Sequence, residues 1–527
     1  MRDRLIICND DGIQMLHSCA PGHVETSIRS WVDFFLQDCH VDVLAFCTAF
    51  PDKTHHETAI GERYMAGAAP TPSQSQLHNK QCLDELRDAG TDILHVVADQ
   101  VRLRGKRVLA SIRMSDVHHA SDLYQSMAPA ILREHPEWRI LLEDGSPDVA
   151  LDYSHAGVRE HRLAIIGEIL ETHAVGGIEL DFMRSCRYFP SHLAQDRLHV
   201  MNDFVCQVHD LIVAGNQSQR HLGVRLPPSL AECAGLGLDP ATWIQEGWVD
   251  YVAPSDFMWL DYGTRVEDFA ALCEGTDCGV YPCLNPFAAE WVNHRAVNAY
   301  TPNPVNFNRR VFFSDEQIRG CLRNFDRWGG DGVYTFNFCC ETIDNPGWVK
   351  RVHDVAAESP KVRQSQPASY SFLPIWRADR SPSGAEQSWR TLQFGAGQGV
   401  LFPFRVADGC GKAISGRLRF RVYNLHDQDI LEVQLNGDTI PDAAIIERRK
   451  TNIHVAADTR YPGMHVPPHI AYEIDLGQCP ALRGDNELHL EITSRAPSVD
   501  SECMVEAMEI DVGHTGTLQT VGYLLDR

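Results

Sequence analysis

Two rhythms of apolar residues alternate along residues 1–355. Short apolar runs predict strands at Leu5–Asn9, Val41–Cys47, Val108–Arg113, Gly177–Phe182, Leu222–Leu226, Val249–Ala253, Gly279–Leu284 and Gly332–Phe338. Between them lie longer segments with helical spacing, among them Leu83–Arg87 with Ile93–Leu103, Val158–His173, Leu198–Ala214 and Asp315–Trp328. Glycines at several helix–strand joints (Gly105, Gly176–Gly177, Gly247, Gly329–Gly330) supply the expected helix stops. Eight strand–helix units in one run predict a (β/α)8 TIM barrel. The competing doubly wound sheet usually carries a glycine-rich phosphate loop after its first strand, and here that strand ends in Asn9-Asp10-Asp11-Gly12.

The rhythm changes after residue 355. Residues 356–368 (AAESPKVRQSQPA) are polar and read as a linker. Beyond it, period-two alternation in Leu418–Tyr423, Ile430–Leu435, His469–Ile474, Glu487–Ile492 and Cys503–Val512, with a turn at Asn436-Gly437, predicts an all-β sandwich over 369–527. Its residues do not choose between binding glycan, packing on the barrel and building a dimer.

In a barrel, chemistry sits at the C-terminal ends of the strands. The fourth strand, GIELDFMR from Gly177, is the richest. Alternation puts Ile178, Leu180 and Phe182 on the outer face and Glu179 and Asp181 on the inner one. Two acids inside a sheet are costly unless paired or functional. Arg113 and Arg225, on neighbouring strands, are the candidate partners for a purely structural role. Asp181, nearer the mouth, is the stronger catalytic candidate. Glycoside hydrolysis needs a second carboxyl. Asp256, just past the sixth strand, is the preferred partner, against the alternative of a helix-capping aspartate. Glu290 is its rival, and could instead open a helix.

Asn9, Asp10, Asp116, His118, Arg184, Tyr334 and Asn337 at other strand ends, with the aromatics Tyr188, Phe257, Trp259, Tyr281 and Trp291, would suit the hydroxyls and faces of a sugar. A metal on Asp116, His118, His119 and Asp10 is the less favoured reading, since no HxH or HExxH spacing occurs. No metal or cofactor is expected.

Composition narrows the partners. Lys plus Arg number 47 against 71 Asp plus Glu, a net charge of −24, which repels nucleic acid. No apolar run reaches the ~18 residues of a membrane helix, and the opening MRDRLIICNDDG lacks a signal-peptide core. Seventeen cysteines without regular spacing point to reduced thiols in a cytoplasmic protein.

Three segments, GGIELDFMR (Gly176–Arg184), ASIRMSDVHH (Ala110–His119) and GLDPATWIQEGWVDYVAPSDF (Gly237–Phe257), resemble the bacterial barrel proteins often labelled family 10-like glycosyl hydrolases. The resemblance implies a sugar-processing pocket at the fourth strand, with a β-sandwich often following. In the alternating-acid motif of chitinase-type barrels, Glu179 and Asp181 would match the acids. Met183 stands where the catalytic glutamate belongs, which sets the chain apart from that pattern. The α-galactosidase-type barrels carry a nucleophilic aspartate at the end of strand four, an arginine soon after, and an acid aspartate at the end of strand six. Asp181, Arg184 and Asp256 are similar position by position. The expected activity is hydrolysis of an oligosaccharide by Asp181 as nucleophile or base and Asp256 as acid, with Glu179 and Arg113 orienting. The alternatives are a carbohydrate-binding protein without turnover and a metal-dependent sugar isomerase or deacetylase.

Overall fold

The computed structural model describes residues 3–50, 52–66, 72–120, 127–215, 220–256, 260, 262–286, 289–291, 309–311, 314–372, 392–395, 397–409, 415–450, 453–455, 464–466, 469–497 and 503–513. Nine parallel strands form one half-barrel sheet: β1 (Ile6–Asp10), β2 (Val43–Phe50), β3 (Arg107–Arg113), β4 (Gly177–Asp181), β5 (His221–Leu226), β6 (Tyr251–Pro254), β7 (Gly279–Val280), β8 (Cys283–Leu284) and β9 (Val333–Phe336). Their order in space is β7-β6-β5-β4-β3-β2-β1-β9-β8. The two ends of the row are thus consecutive pieces of one short segment: β7 pairs with β6, and β8 pairs with β9. All eight strand expectations fall on these elements; the seventh is split in two.

Alternation sorts the side chains as period two requires. Ile178, Leu180 and Phe182 join the large core beneath the helices, while Ile7, Val43, Ala45, Leu109, Tyr251, Tyr281 and Phe336 form a second core on the inner face. The helices Ile93–Leu103, Ala156–Thr172, Leu198–Ala214 and Asp315–Arg327 lie where helical spacing predicted them, and bury their apolar stripes against the outer face.

The segment read as a linker is ordered. A helix over Pro360–Ser365 is anchored by Arg363, whose guanidinium holds Asp326 at 2.6 Å and the Ala356 carbonyl at 3.2 Å. The strand Ala368–Phe372 then enters an antiparallel sheet with Gly416–Tyr423, Ile445–Lys450, His469–Asp475 and Cys503–Val512. A second antiparallel sheet holds Gly399–Arg405, Ile430–Leu435 and Asp485–Ser494.

This unit is seated on the parallel sheet's helices by polar contacts. Ser314 and Gln317 form a reciprocal N-terminal cap, and the Gln317 amide continues to Ser371 Oγ at 2.5 Å. Arg405 binds Glu267 at 2.7 Å and the Thr264 carbonyl at 3.1 Å while lying 4.0 Å over the Trp328 ring. Gly320 lets the helix approach closely: a Cβ there would sit 2.1 Å from the Ser369 carbonyl oxygen. Gly320→Ala is therefore expected to lower stability by about 1–3 kcal/mol through forced separation of helix and strand. Urea denaturation measures it.

Candidate active site

The inner face of the sheet carries two polar layers set by strand register. Ser111, Glu179, Gly223 and Tyr251 are register partners on β3, β4, β5 and β6. One step toward the strand ends, Arg113, Asp181, Arg225 and Ala253 form the next layer.

Glu179 is the centre of the lower layer. Its Oε1 accepts from Asn9 Nδ2 at 3.0 Å, Ser111 Oγ at 2.8 Å and the Tyr334 hydroxyl at 3.0 Å; its Oε2 accepts from the Tyr251 hydroxyl at 2.5 Å. The donors come from β1, β3, β9 and β6, so the row curls around this carboxylate. Burial pushes the Glu179 carboxyl up, Asp181 adds to that, and the hydroxyl donors pull partly back. Burial and the Glu179 charge keep both tyrosines far above their usual range, so they remain O–H donors. Gly223 makes the layer possible. A Cβ there would lie 2.0 Å from Tyr251 Cζ and 2.4 Å from its hydroxyl oxygen.

In the upper layer, Arg225 is fully buried and links two strand ends. Its Nη1 lies 3.2 Å from Asp181 Oδ1 and 3.4 Å from Oδ2, and its Nη2 donates to the Asp256 backbone carbonyl at 3.4 Å and to Ser255 Oγ at 3.1 Å. The guanidinium stacks 3.4 Å from the Phe336 ring centre. Asp181 Oδ1 also accepts the Met183 N–H at 2.9 Å. Asp256 is buried, its carbonyl also accepting from Asn285 Nδ2 at 3.3 Å. Among the described residues the next helix begins at Val266.

A second constellation surrounds Arg113. Its guanidinium bridges Asp11 and Asp116, the latter at 2.9 Å, and lies 4.4 Å from the Phe50 ring centre. Asp116 Oδ1 receives His118 Nδ1 at 2.5 Å, and His118 Nε2 receives Arg184 at 2.6 Å. Burial alone would raise both acids. The Arg113 and Arg184 charges hold Asp11 below the usual carboxylate range, and the His118 hydrogen bond with those same charges holds Asp116 well below it. Asn337, in a left-handed conformation (φ 65°) that turns the chain off β9, presents Oδ1 to Cys340 Sγ at 3.3 Å.

The remaining expected site residues fall elsewhere. Asp10 faces the helices, not the inner face: its oxygens accept from the Gly12 N–H and from Trp31 Nε1, both at 2.8 Å. Tyr281 points to the opposite end of the strands, its hydroxyl donating to the Asp3 carbonyl at 2.7 Å. Asn9 and Tyr334 serve Glu179. Arg113 serves Asp11 and Asp116, not Glu179. Tyr188 is packing, with its hydroxyl on the Phe182 carbonyl. Glu290 lies in a strand, Ala289–Trp291, paired with Arg309–Val311, and opens no helix. The side chains of Glu290 and Trp291, and all of Phe257 and Trp259, lie outside the described residues. Asp116, His118, His119 and Asp10 do not converge as a metal set: His119 Nε2 meets the Val149 carbonyl at 3.2 Å. Asp11 entered the sequence reading only as one of three polar residues ending the first strand. Its position opposite Arg113, two strands away in the row order, is what ties it to the cluster.

No family model matches the chain, and no curated protein is similar to it in sequence. Among solved structures it is similar to α-L-fucosidase isoenzyme 2 from Paenibacillus thiaminolyticus (10% identity, TM-score 0.41, 70% of this chain and 51% of that one). The chain thus spans about half the length of that fucosidase. It is also similar to the PgaB (BpsB) glycoside hydrolase domain from Bordetella bronchiseptica (9%, 0.42, 68% and 100%) and to the GH36 α-galactosidase AgaB from Geobacillus stearothermophilus (12%, 0.37, 97% and 56%).

Gly223→Ala should displace Tyr251 from Glu179, and Glu179→Gln should turn an amide N–H₂ toward hydroxyl donors; each is expected to cost about 1–3 kcal/mol by urea denaturation. Burial raises the Asp10 carboxyl to about 6 from 3.8. The folded chain then holds the extra proton between those values, so this group makes stability fall as pH rises through the window, by up to about 3 kcal/mol. Asp10→Asn should remove that slope, read as the difference between the two proteins' stability profiles from pH 4 to 7.

Proposed function

We propose that the chain is a glycoside hydrolase acting on an oligosaccharide by a two-carboxylate mechanism. The observation carrying this is the Arg225 bridge. Asp181 ends β4, Asp256 follows β6, and Arg225 on β5 between them binds the carboxylate of one and the backbone of the other. Two acids held at the same end of nearby strands are the minimal apparatus for cleaving a glycosidic bond. In this reading the parallel row is a closed (β/α)8 barrel, with β7 and β8 as halves of its seventh strand, and the antiparallel sheets form a sandwich behind it.

Asp181 acts as nucleophile or base. Its Oδ1 is tied by Met183 and Arg225, while Oδ2 has the longer Arg225 contact at 3.4 Å, which makes Oδ2 the oxygen assigned to the chemistry. Asp256 acts as general acid. Glu179 is a positioning residue: it sits one register step below and fixes the strands that carry Arg225 and Asp181. Arg184, His118 and Asp116, half-buried to buried beside Arg113, offer donors and acceptors to sugar hydroxyls.

A second reading has its own support. Arg225 contacts both Asp181 oxygens, as expected of a structural ion pair in a carbohydrate-binding protein without turnover. A panel of aryl glycosides and oligosaccharides separates the two. Hydrolysis by the native chain, with Asp181→Asn and Asp256→Asn each slowing kcat by roughly 10²–10⁴-fold while circular dichroism shows a folded protein, supports the enzyme. Oligosaccharide binding without turnover supports the second reading. Substantial turnover by folded Asp181→Asn removes that residue from the chemistry.

A further inference from the structure

A set of imidazoles and one carboxylate converges on the helical side of the sheet, away from the strand ends. Asp92 caps the helix Ile93–Leu103, its Oδ1 accepting the His95 N–H at 2.8 Å. One turn in, His95 brings Nδ1 to 3.1 Å from the same oxygen. His173, directly after the helix Ala156–Thr172, places Nε2 3.0 Å from Asp92 Oδ2 and 3.3 Å from Oδ1. One ligand atom from each of the three lies within 4.8 Å of the other two. The His95 and His173 ring centres are 4.1 Å apart.

Hydrogen bonding assigns the His173 tautomer. Thr172 Oγ1 donates its proton to the Glu168 carbonyl at 2.6 Å, so toward His173 Nδ1, at 2.8 Å, it accepts. Nδ1 therefore carries a hydrogen, and the neutral ring turns the Nε2 lone pair onto a carboxylate. Two acceptors at that separation require a cation between them, either a proton or a metal ion.

A proton on His173 satisfies only its own contact with Asp92. A metal ion takes the His173 and His95 lone pairs and an Asp92 oxygen together, which is what the convergence of three donors favours. His56, buried and edge-on to His173 with ring centres 5.3 Å apart, borders the set and meets the Thr48 backbone.

We propose that Asp92, His95 and His173 bind a divalent transition-metal ion of the zinc class, with water completing its coordination. Two imidazole nitrogens and one carboxylate oxygen suit zinc, cobalt or nickel, and not calcium or magnesium. Ligand atoms in a tetrahedral zinc shell lie about 3.3 Å apart, close to the 3.0 and 3.1 Å seen for Asp92 with His173 and His95. Thr172 fixes the ligating nitrogen of His173 from behind, as outer-shell partners of metal-bound histidines do. The His95 side chain is 47% exposed and gives the ion a way in. Bound there, the ion ties together the two helices leading into β3 and β4, the strands that carry Arg113, Glu179 and Asp181. Its role is structural and independent of the reaction at the strand ends.

The test uses the full-length chain, stripped with a chelator, desalted and titrated with Co²⁺ and then Zn²⁺. The expected result is one equivalent of cobalt with the visible absorption of four-coordinate nitrogen and oxygen ligation, displaced by zinc, and a higher Tm with either ion. Asp92→Asn, which keeps the helix cap, and His95→Ala, at a half-exposed position, should each weaken zinc binding by about tenfold or more. No uptake would overturn the proposal. So would thiolate charge-transfer bands, or unchanged affinity in both variants, since either places the ion on cysteines elsewhere.

Discussion

A carboxylate inside a sheet has to be fully satisfied, and the Glu179 requirement organises everything around it. Among the described residues its hydrogen-bond partners are neutral. Its neighbours are an amide, a serine hydroxyl and two phenols, drawn from four strands of the row. Neutral donors let the charge stay buried without importing a second ion, whose desolvation would cost several kcal/mol more. They also impose geometry. β9 and β6 lie on opposite sides of β4 in the row, so reaching the same two oxygens forces the sheet to curl. Gly223 is the steric counterpart, because the Tyr251 ring crosses β5 where any side chain would stand.

The layer above inherits its register from the one below. Once Ser111, Glu179 and Gly223 are aligned, Arg113, Asp181 and Arg225 must be aligned as well. The two arginines then divide the acids between them. Arg225 takes Asp181 and the turn carrying Asp256, while Arg113 takes Asp11 and Asp116. Each cation also lies against an aromatic ring, which screens it from water and strengthens its pairing. The result is a row of charges at the strand ends, each held by partners on neighbouring strands.

Much of this was legible along the chain. Apolar runs located the strands, and alternation alone placed Glu179 and Asp181 inside and Ile178, Leu180 and Phe182 outside, because strand periodicity is a local property of the backbone. The arginines on neighbouring strands were identifiable as partners. Their assignment was not, since pairing across strands depends on register, and register on contacts far apart in sequence.

Tertiary structure decided the rest. It gave Asp10 to Trp31 and its neighbour Asp11 to Arg113, partners on opposite faces of the sheet that neither residue's local sequence names. It sent the Tyr281 hydroxyl to the far end of the strands. It also gathered His56, Asp92, His95 and His173 from positions spanning much of the first two hundred residues. Sequence determines what each short segment becomes, through periodicity and capping chemistry. Which segments share a buried charge is set by packing, because burial makes an unpartnered polar group costly and only the assembled fold determines where its partner stands.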